Sequence, residues 1–205
     1  LTFSDKLKKY NFDVIVCPGD FTDIPPKGFS ALDIGRIIIE QLKTFGKPMV
    51  AVPGNWDKEL IGYFEVEGIN LHAKGTIING VGFYGFGGAK TPFNTLLEPS
   101  EEEIATGLAE SYEKVKNAKI RVQVTHSPPA RTKVYTGAHV GSEAVRKFIE
   151  EKQPQLAISA HIHEGRGTDE IGRTKLINSG RFPEGYVGFA TIENDGVTTK
   201  IVNLI

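Results

Sequence analysis

Four short apolar runs, each ending in a loop with metal-competent side chains, constrain this chain more than any other feature. They are residues 13–17 (DVIVC), 49–52 (MVAV), 120–125 (IRVQVT) and 156–159 (LAIS). Runs this short, rich in β-branched residues and bounded by turn formers, read as buried strands. Residues 4–10 resemble the end of a helix ahead of the first run. Between the first two runs, residues 31–44 place Ile34, Ile37, Ile38 and Leu42 at helical spacing. Strand, helix, strand predicts a right-handed parallel crossover. Asn79-Gly80 inside the apolar stretch 77–84 predicts an antiparallel hairpin. Ser100 and Glu103 have the spacing of a capping box, which predicts a helix to about Ala118, and Ser142 can cap another through about Glu151.

From residue 167 the character changes. Residues 167–171, 175–178, 186–193 and 197–204 read as strands joined by tight turns, Asp195-Gly196 among them, which predicts a meander. No linker-like composition separates the two parts, so residues 1–205 are expected to form one domain with two sheets.

The 205 residues can bury on the order of 70% of the surface the unfolded chain exposes, so no disulfide is needed. Lys and Arg number 24 against 25 Asp and Glu, a formal net charge of -1, and no stretch concentrates the basic residues. Long nucleic acid is therefore not an expected partner. No apolar stretch approaches the roughly 18 residues of a membrane span, so no membrane partner is expected either. The single cysteine, Cys17, lies in an apolar run, which suits a reduced compartment and a cytoplasmic location. Oligomeric state is left open.

The four loops are GDFTD (19–23), GNWD (54–57), THSPP (125–129) and AHIH (160–163). In an open α/β sheet, ligands collect outside the carboxyl ends of the strands, so these segments are expected to become neighbours. Oxygen and imidazole donors without thiolate favour Mn, Fe, Co or Zn. Each motif alone has a plainer reading: Gly-Asp and Gly-Asn are turn signals, and His-x-His can be a strand end. Their order and their strand-end positions together favour a metal site.

That series resembles the calcineurin-like metallophosphoesterase superfamily. The longer stretch THSPPARTKVYTGAHVGSEAVRKFIEEKQPQLAISAHIHEGRG is similar, more narrowly, to the Icc-related phosphoesterases of bacteria and archaea. The resemblance implies an α/β fold, a four-layer αββα sandwich of two mixed β-sheets, with two divalent transition metals (Mn, Fe, Ni, Co or Zn) at one end. Asp20 would bridge the metals, Asn55, His126 and His161 would complete one site, and His163 would serve the other. Asp20, Asn55 and His126 would then be the catalytic residues. The activity implied is in-line hydrolysis of a phosphate ester by a metal-bridging hydroxide. A phosphodiester of a small, nucleotide-like substrate is the reading favoured here. The alternative is a degraded metal centre on a protein-binding scaffold, as in the retromer subunit, which has a similar fold.

Three departures from the family pattern stand out. The first motif, Asp-x-His at the end of an N-terminal strand, is not in the sequence, so that strand is expected to be missing and one metal site incomplete. Trp56 stands where many members carry a histidine, and an indole cannot shuttle a proton. Ala160 replaces a glycine, a strained change only if its φ is positive. Arg131, His139 and Arg166 are the candidate phosphate-binding residues, Asp23 a candidate orienting group, and Trp56, Phe21 and Phe93 a candidate apolar wall. His72 reads as structural. Specificity is expected from residues 24–30, 87–98 and 130–141, irregular loops near the metal end.

Overall fold

A computed structural model describes residues 3–22, 25–134, 141–193 and 196–205. Helix α1 (Ser4–Leu7) is shorter than the predicted 4–10, and the chain passes through turns into β1 (Ile15–Cys17). Helix α2 (Ala31–Lys43) carries the chain to β2 (Met49–Ala51), which pairs with β1 in parallel, as the spacing predicts. Ser30 caps α2: its hydroxyl accepts from the Asp33 amide at 3.1 Å, and the Asp33 carboxylate accepts from the Ser30 amide at 2.8 Å. A 3₁₀ turn (Lys58–Leu60) and helix α3 (Ile61–Val66) follow, a segment for which the sequence yields no expectation. Leu60 and Phe64, four residues apart, are fully buried against Ile39, Met49 and Ala51, so α2 and α3 cover the outer face of the β1–β2 pair.

The remaining strands are β3 (Lys74–Ile78), β4 (Val81–Phe86), β5 (Ile120–Thr125), β6 (Leu156–Ser159), β7 (Gly167–Ile171), β8 (Thr174–Asn178), β9 (Tyr186–Glu193) and β10 (Gly196–Asn203). The first six of these form one mixed sheet in the order β3-β4-β5-β6-β8-β7, parallel across β4, β5, β6 and β8 and antiparallel at both edges. The β3–β4 hairpin turns at Asn79 and Gly80 with φ of 52° and 80°, the left-handed values that its tight loop needs. Helix α4 (Glu101–Glu113) starts in a Ser100–Glu103 capping box and ends before the expected Ala118. Residues 114–118 close instead through tighter bonds, Val115 amide to Tyr112 carbonyl and Ala118 amide to Val115 carbonyl. Helix α5 (Glu143–Lys152) is capped by Ser142.

One expectation is corrected. The last four strands are not a continuous meander, because β8 inserts between β6 and β7 and both of its edges are taken. The chain leaves that sheet through a 3₁₀ turn (Phe182–Glu184), and β9 and β10 form a separate antiparallel pair.

Two clusters define the layers. On one face of the six-stranded sheet, Tyr84 and Leu176 pack with Ile104 and Leu108 of α4 and with Val145 and Ile149 of α5. On the other, Phe83, Val122, Val124 and Ile177 meet Val50 of β2, Val16 of β1, Ile192 of β9 and Ile201 of β10. The sequence of layers is α4/α5, the six-stranded sheet, the two strand pairs, and α2/α3. This is the αββα sandwich, although among the described residues its second layer consists of two separate pairs rather than one continuous sheet. No helix among the described residues is long and apolar enough to cross a membrane.

Leu108 is fully buried between α4 and the large sheet, whereas Val66, at the end of α3, is 82% exposed. Urea unfolding should show Leu108→Ala destabilised by about 3 kcal/mol. Val66→Ala should stay within about 0.5 kcal/mol of the parent.

Candidate metal centre

The four loops predicted to carry chemistry leave the carboxyl ends of β1, β2, β5 and β6, and the fold brings them together. Two glycines permit the approach. A Cβ on Gly54 would stand 2.1 Å from Asp20 Oδ1, and one on Gly19 would stand 2.5 Å from the Gly54 amide and 2.6 Å from His126 Nδ1. Beneath them lies Asp57, whose carboxylate Oδ2 accepts from the Gly54 amide at 2.8 Å and from the Phe21 amide at 3.1 Å. Asp57 occupies the position that could cap the 3₁₀ turn, yet its side chain makes no cap bond and ties the first two loops together instead. Phe21 completes the joint from below, its ring 5.1 Å from that of Phe64.

Ligand atoms of Asp20, His126 and His161 all lie within 4.8 Å of one another. His126 Nε2 is 3.3 Å from Asp20 Oδ2 and 3.0 Å from Asn55 Oδ1, while His161 Nδ1 is 3.1 Å from the same Asn55 oxygen. A backbone carbonyl holds the His126 ring from behind: its Nδ1 donates to Pro18 at 2.8 Å. His126 Nε2 and His161 Nδ1 thus both face the Asn55 oxygen, and His126 Nε2 the Asp20 carboxylate as well. Asp20 Oδ1 is buried with no hydrogen-bond partner among the described residues. Converging acceptors repel unless a proton or a cation stands among them, and a mixed set of carboxylate, amide oxygen and imidazole suits a divalent transition metal. The residues present therefore fit such an ion.

The charges agree with this geometry. Burial disfavours the Asp20 carboxylate, but His126, His161 and the Trp56 amide outweigh it and hold its pKa below the ordinary value. Burial alone would depress His126, but Asp20 and the Pro18 carbonyl raise it. Burial and the neighbouring His126 push His161 down to about 4, leaving it a neutral imidazole. Asp57 is pushed up to about 6 by burial, against the pull of the Gly54 amide.

The backbone is strained where the donors sit. Asp20 and His161 take φ of 54° and 66°, in the left-handed region that non-glycine residues seldom occupy. Ala160 is not among the positive-φ residues, so the strain at that motif falls on His161 and not on the substituted glycine.

Other predicted residues have different surroundings. His163 opens a 3₁₀ turn (His163–Gly165) two residues beyond His161; it is half-buried and lies outside the three-residue group. Arg131 is exposed and paired with Glu143, and Arg166 stacks on the Tyr186 ring at 3.6 Å. His139 and Asp23 lie outside the described residues. His72 is structural, as expected: its Nδ1 accepts from the Gly87 amide at 3.0 Å and its ring stacks on Phe86. Of the aromatic wall, Phe21 is core, whereas Phe93 is 78% exposed. Two positioning residues were missed. One is Asp57, visible in sequence only as the last letter of GNWD. The other is Asn178 at the end of β8, whose Nδ2 donates to the Ile162 carbonyl at 2.8 Å and holds the His-x-His loop.

Calcineurin-like phosphoesterases match residues 2–165 of this sequence. The chain belongs to that family. The family is metal-dependent, and its described activity is that of a hydrolase of phosphate esters. An uncharacterized protein of Methanocaldococcus jannaschii, MJ1162, is 37% identical over 193 residues, covering 89% of this chain and 83% of its own. The UPF0046 protein K07C11.7 of Caenorhabditis elegans is 32% identical over 116 residues, 56% of this chain and 38% of the worm protein. The crystal structure of TT1561 of Thermus thermophilus superposes with a TM-score of 0.67 at 18% identity, covering 100% of this chain and 90% of that one. At that identity the likeness concerns the fold alone.

Two pH effects are expected. A cation needs the Nε2 lone pair that the His126 proton occupies, so Mn²⁺ affinity should rise as pH increases above 6.5, with a proton released on binding. Calorimetry in buffers of different ionisation enthalpy reads that proton, and affinity independent of pH would remove His126 from the ligand set. Asp57 holds its proton more tightly folded than unfolded, so the metal-free protein should lose stability as pH rises from 3.8 to about 6. Asp57→Asn should flatten that part of the pH–stability curve measured by urea unfolding.

Proposed function

We propose that the chain is a metal-dependent phosphoesterase with a dinuclear centre, hydrolysing a phosphodiester of a small substrate. The observation that carries the reading is that Asp20, His126 and His161 offer ligand atoms within 4.8 Å of one another, with both imidazoles meeting the Asn55 oxygen and Asp20 Oδ1 left without a partner among the described residues. Asp20 offers two oxygens, one beside His126 and one without a partner, as a carboxylate shared between two cations requires. Asn55 contributes an oxygen without charge, so the centre retains positive charge for an anionic substrate. His163, next along the loop, is the residue we assign to the second cation. Bound divalent cations would supply the charge that polarises the phosphoryl oxygens and lowers the pKa of an attacking water.

The chain's own groups do the rest. The Pro18 carbonyl fixes the orientation of the His126 imidazole, and the Asn55 oxygen meets His161 Nδ1. Trp56 presents an indole where proton transfer to a leaving group would need an imidazole, which favours esters whose leaving group departs unaided. Arg131 and Arg166 keep their charge in an exposed pair with Glu143 and a stack on Tyr186, so both can still meet a phosphate. The net charge of -1 supports a small substrate over a long polyanion. The scaffold reading gives no reason for an amide oxygen and two imidazoles to gather beside a carboxylate.

With Mn²⁺ present, bis(p-nitrophenyl) phosphate should be turned over faster than p-nitrophenyl phosphate. Asp20→Asn and His126→Ala should each lower kcat at least about 100-fold, the scale of removing one group from preorganised charge stabilisation. A panel of aryl and nucleotide phosphate esters with no turnover under any of Mn²⁺, Ni²⁺, Co²⁺ or Zn²⁺ would overturn the proposal.

A further inference from the structure

The loop between β4 and α4 touches the metal centre at Asn55, whose carbonyl accepts from the Leu97 amide at 3.0 Å. The base of the loop is anchored as well, by the Gly87 amide on His72 Nδ1 and the Gly88 amide on the Pro53 carbonyl at 2.8 Å. Between Lys90 and Leu97 the chain makes an irregular turn with Phe93 exposed, a shape that by itself leaves Leu97 free to drift.

One side chain closes that turn. Glu98 Oε1 accepts from the Thr91 hydroxyl at 2.6 Å, the Thr95 amide at 2.5 Å and the Thr95 hydroxyl at 2.7 Å. Glu98 directly follows Leu97, so the clasp closes on the immediate neighbour of the residue that reaches the centre. The Thr91 oxygen also accepts from the Phe93 amide at 3.0 Å, which fixes the tip. Three donors converge on one oxygen of a carboxylate, and bonds to an ionised acceptor are stronger than neutral ones.

We propose that Glu98 is a positioning residue of the metal centre: by clasping residues 91–98 it keeps the Leu97 amide in place, and through it the backbone of Asn55, whose side-chain oxygen meets both imidazoles. Groups that orient a metal ligand set metal affinity as well as activity. The inference rests on the metal-centre reading above and adds a residue outside the four donor loops.

The test is the Mn²⁺ dissociation constant of the whole chain, read by calorimetry beside the thermal midpoint. Glu98→Ala should bind Mn²⁺ about 10-fold more weakly, at the low end of what orienting partners of metal ligands contribute. Glu98→Gln keeps a carbonyl oxygen for the same three donors and should stay within about 3-fold of the parent. Equal affinity in Glu98→Ala with a lowered thermal midpoint would overturn the inference, since a merely structural clasp gives that pattern. If Glu98→Ala fails to fold, the double variant Thr91→Val with Thr95→Val decides by the same measurement: weaker binding supports the clasp, and unchanged affinity overturns it. A parent protein that binds no Mn²⁺ would overturn the metal-centre reading itself, an outcome distinct from a parent that binds and a variant that binds equally well.

Discussion

The metal end of this protein depends on three loops, from three different strands, coming closer together than side chains permit. Gly19 and Gly54 supply the missing volume, for a single methyl group at either would overlap the other loop, the Asp20 carboxylate or the His126 ring. Closeness brings strain: Asp20 and His161 both take left-handed backbone, which costs on the order of 1–3 kcal/mol each. What holds them there is packing and hydrogen bonding below. Asp57 accepts amides from two loops at once, and Phe21 docks on Phe64 of a helix that the β1–β2 pair buries.

The electrostatics follow from the same closeness. A carboxylate and two imidazoles share a space that excludes most water, so each sets the protonation of the others. Asp20 stays ionised because His126 is beside it, His126 gains basicity from Asp20, and His161 is neutralised by burial and by His126. The site thus sets a carboxylate beside an imidazole whose basicity it raises, with a neutral imidazole at its edge, and a divalent cation would compete with a proton for His126 Nε2.

Much of this was legible in the chain. Runs 120–125, 156–159, 167–171 and 186–193 are strands with the bounds their composition predicts, and the Ser100 and Ser142 caps both open helices. These are local effects, set by a few neighbouring residues. The α3 segment gave no periodic signal over its six residues, and the separation of β9–β10 from the large sheet reflects the insertion of β8, a long-range pairing choice that no local pattern records.

At the site the division is sharper. The sequence by itself determined which residue types can ligate a cation, and the strand-loop order placed Asp20, Asn55, His126 and His161 at one end of the sheet. Tertiary structure alone decided that Asp57 would bind two loops instead of capping its own turn, that Arg131 would pair with Glu143 and Arg166 stack on Tyr186, and that Glu98 would clasp Thr91 and Thr95. The reason is physical: a side chain's capacity to donate, accept or carry charge is intrinsic to its chemistry, whereas the partner that uses that capacity is fixed only when distant segments pack and exclude water.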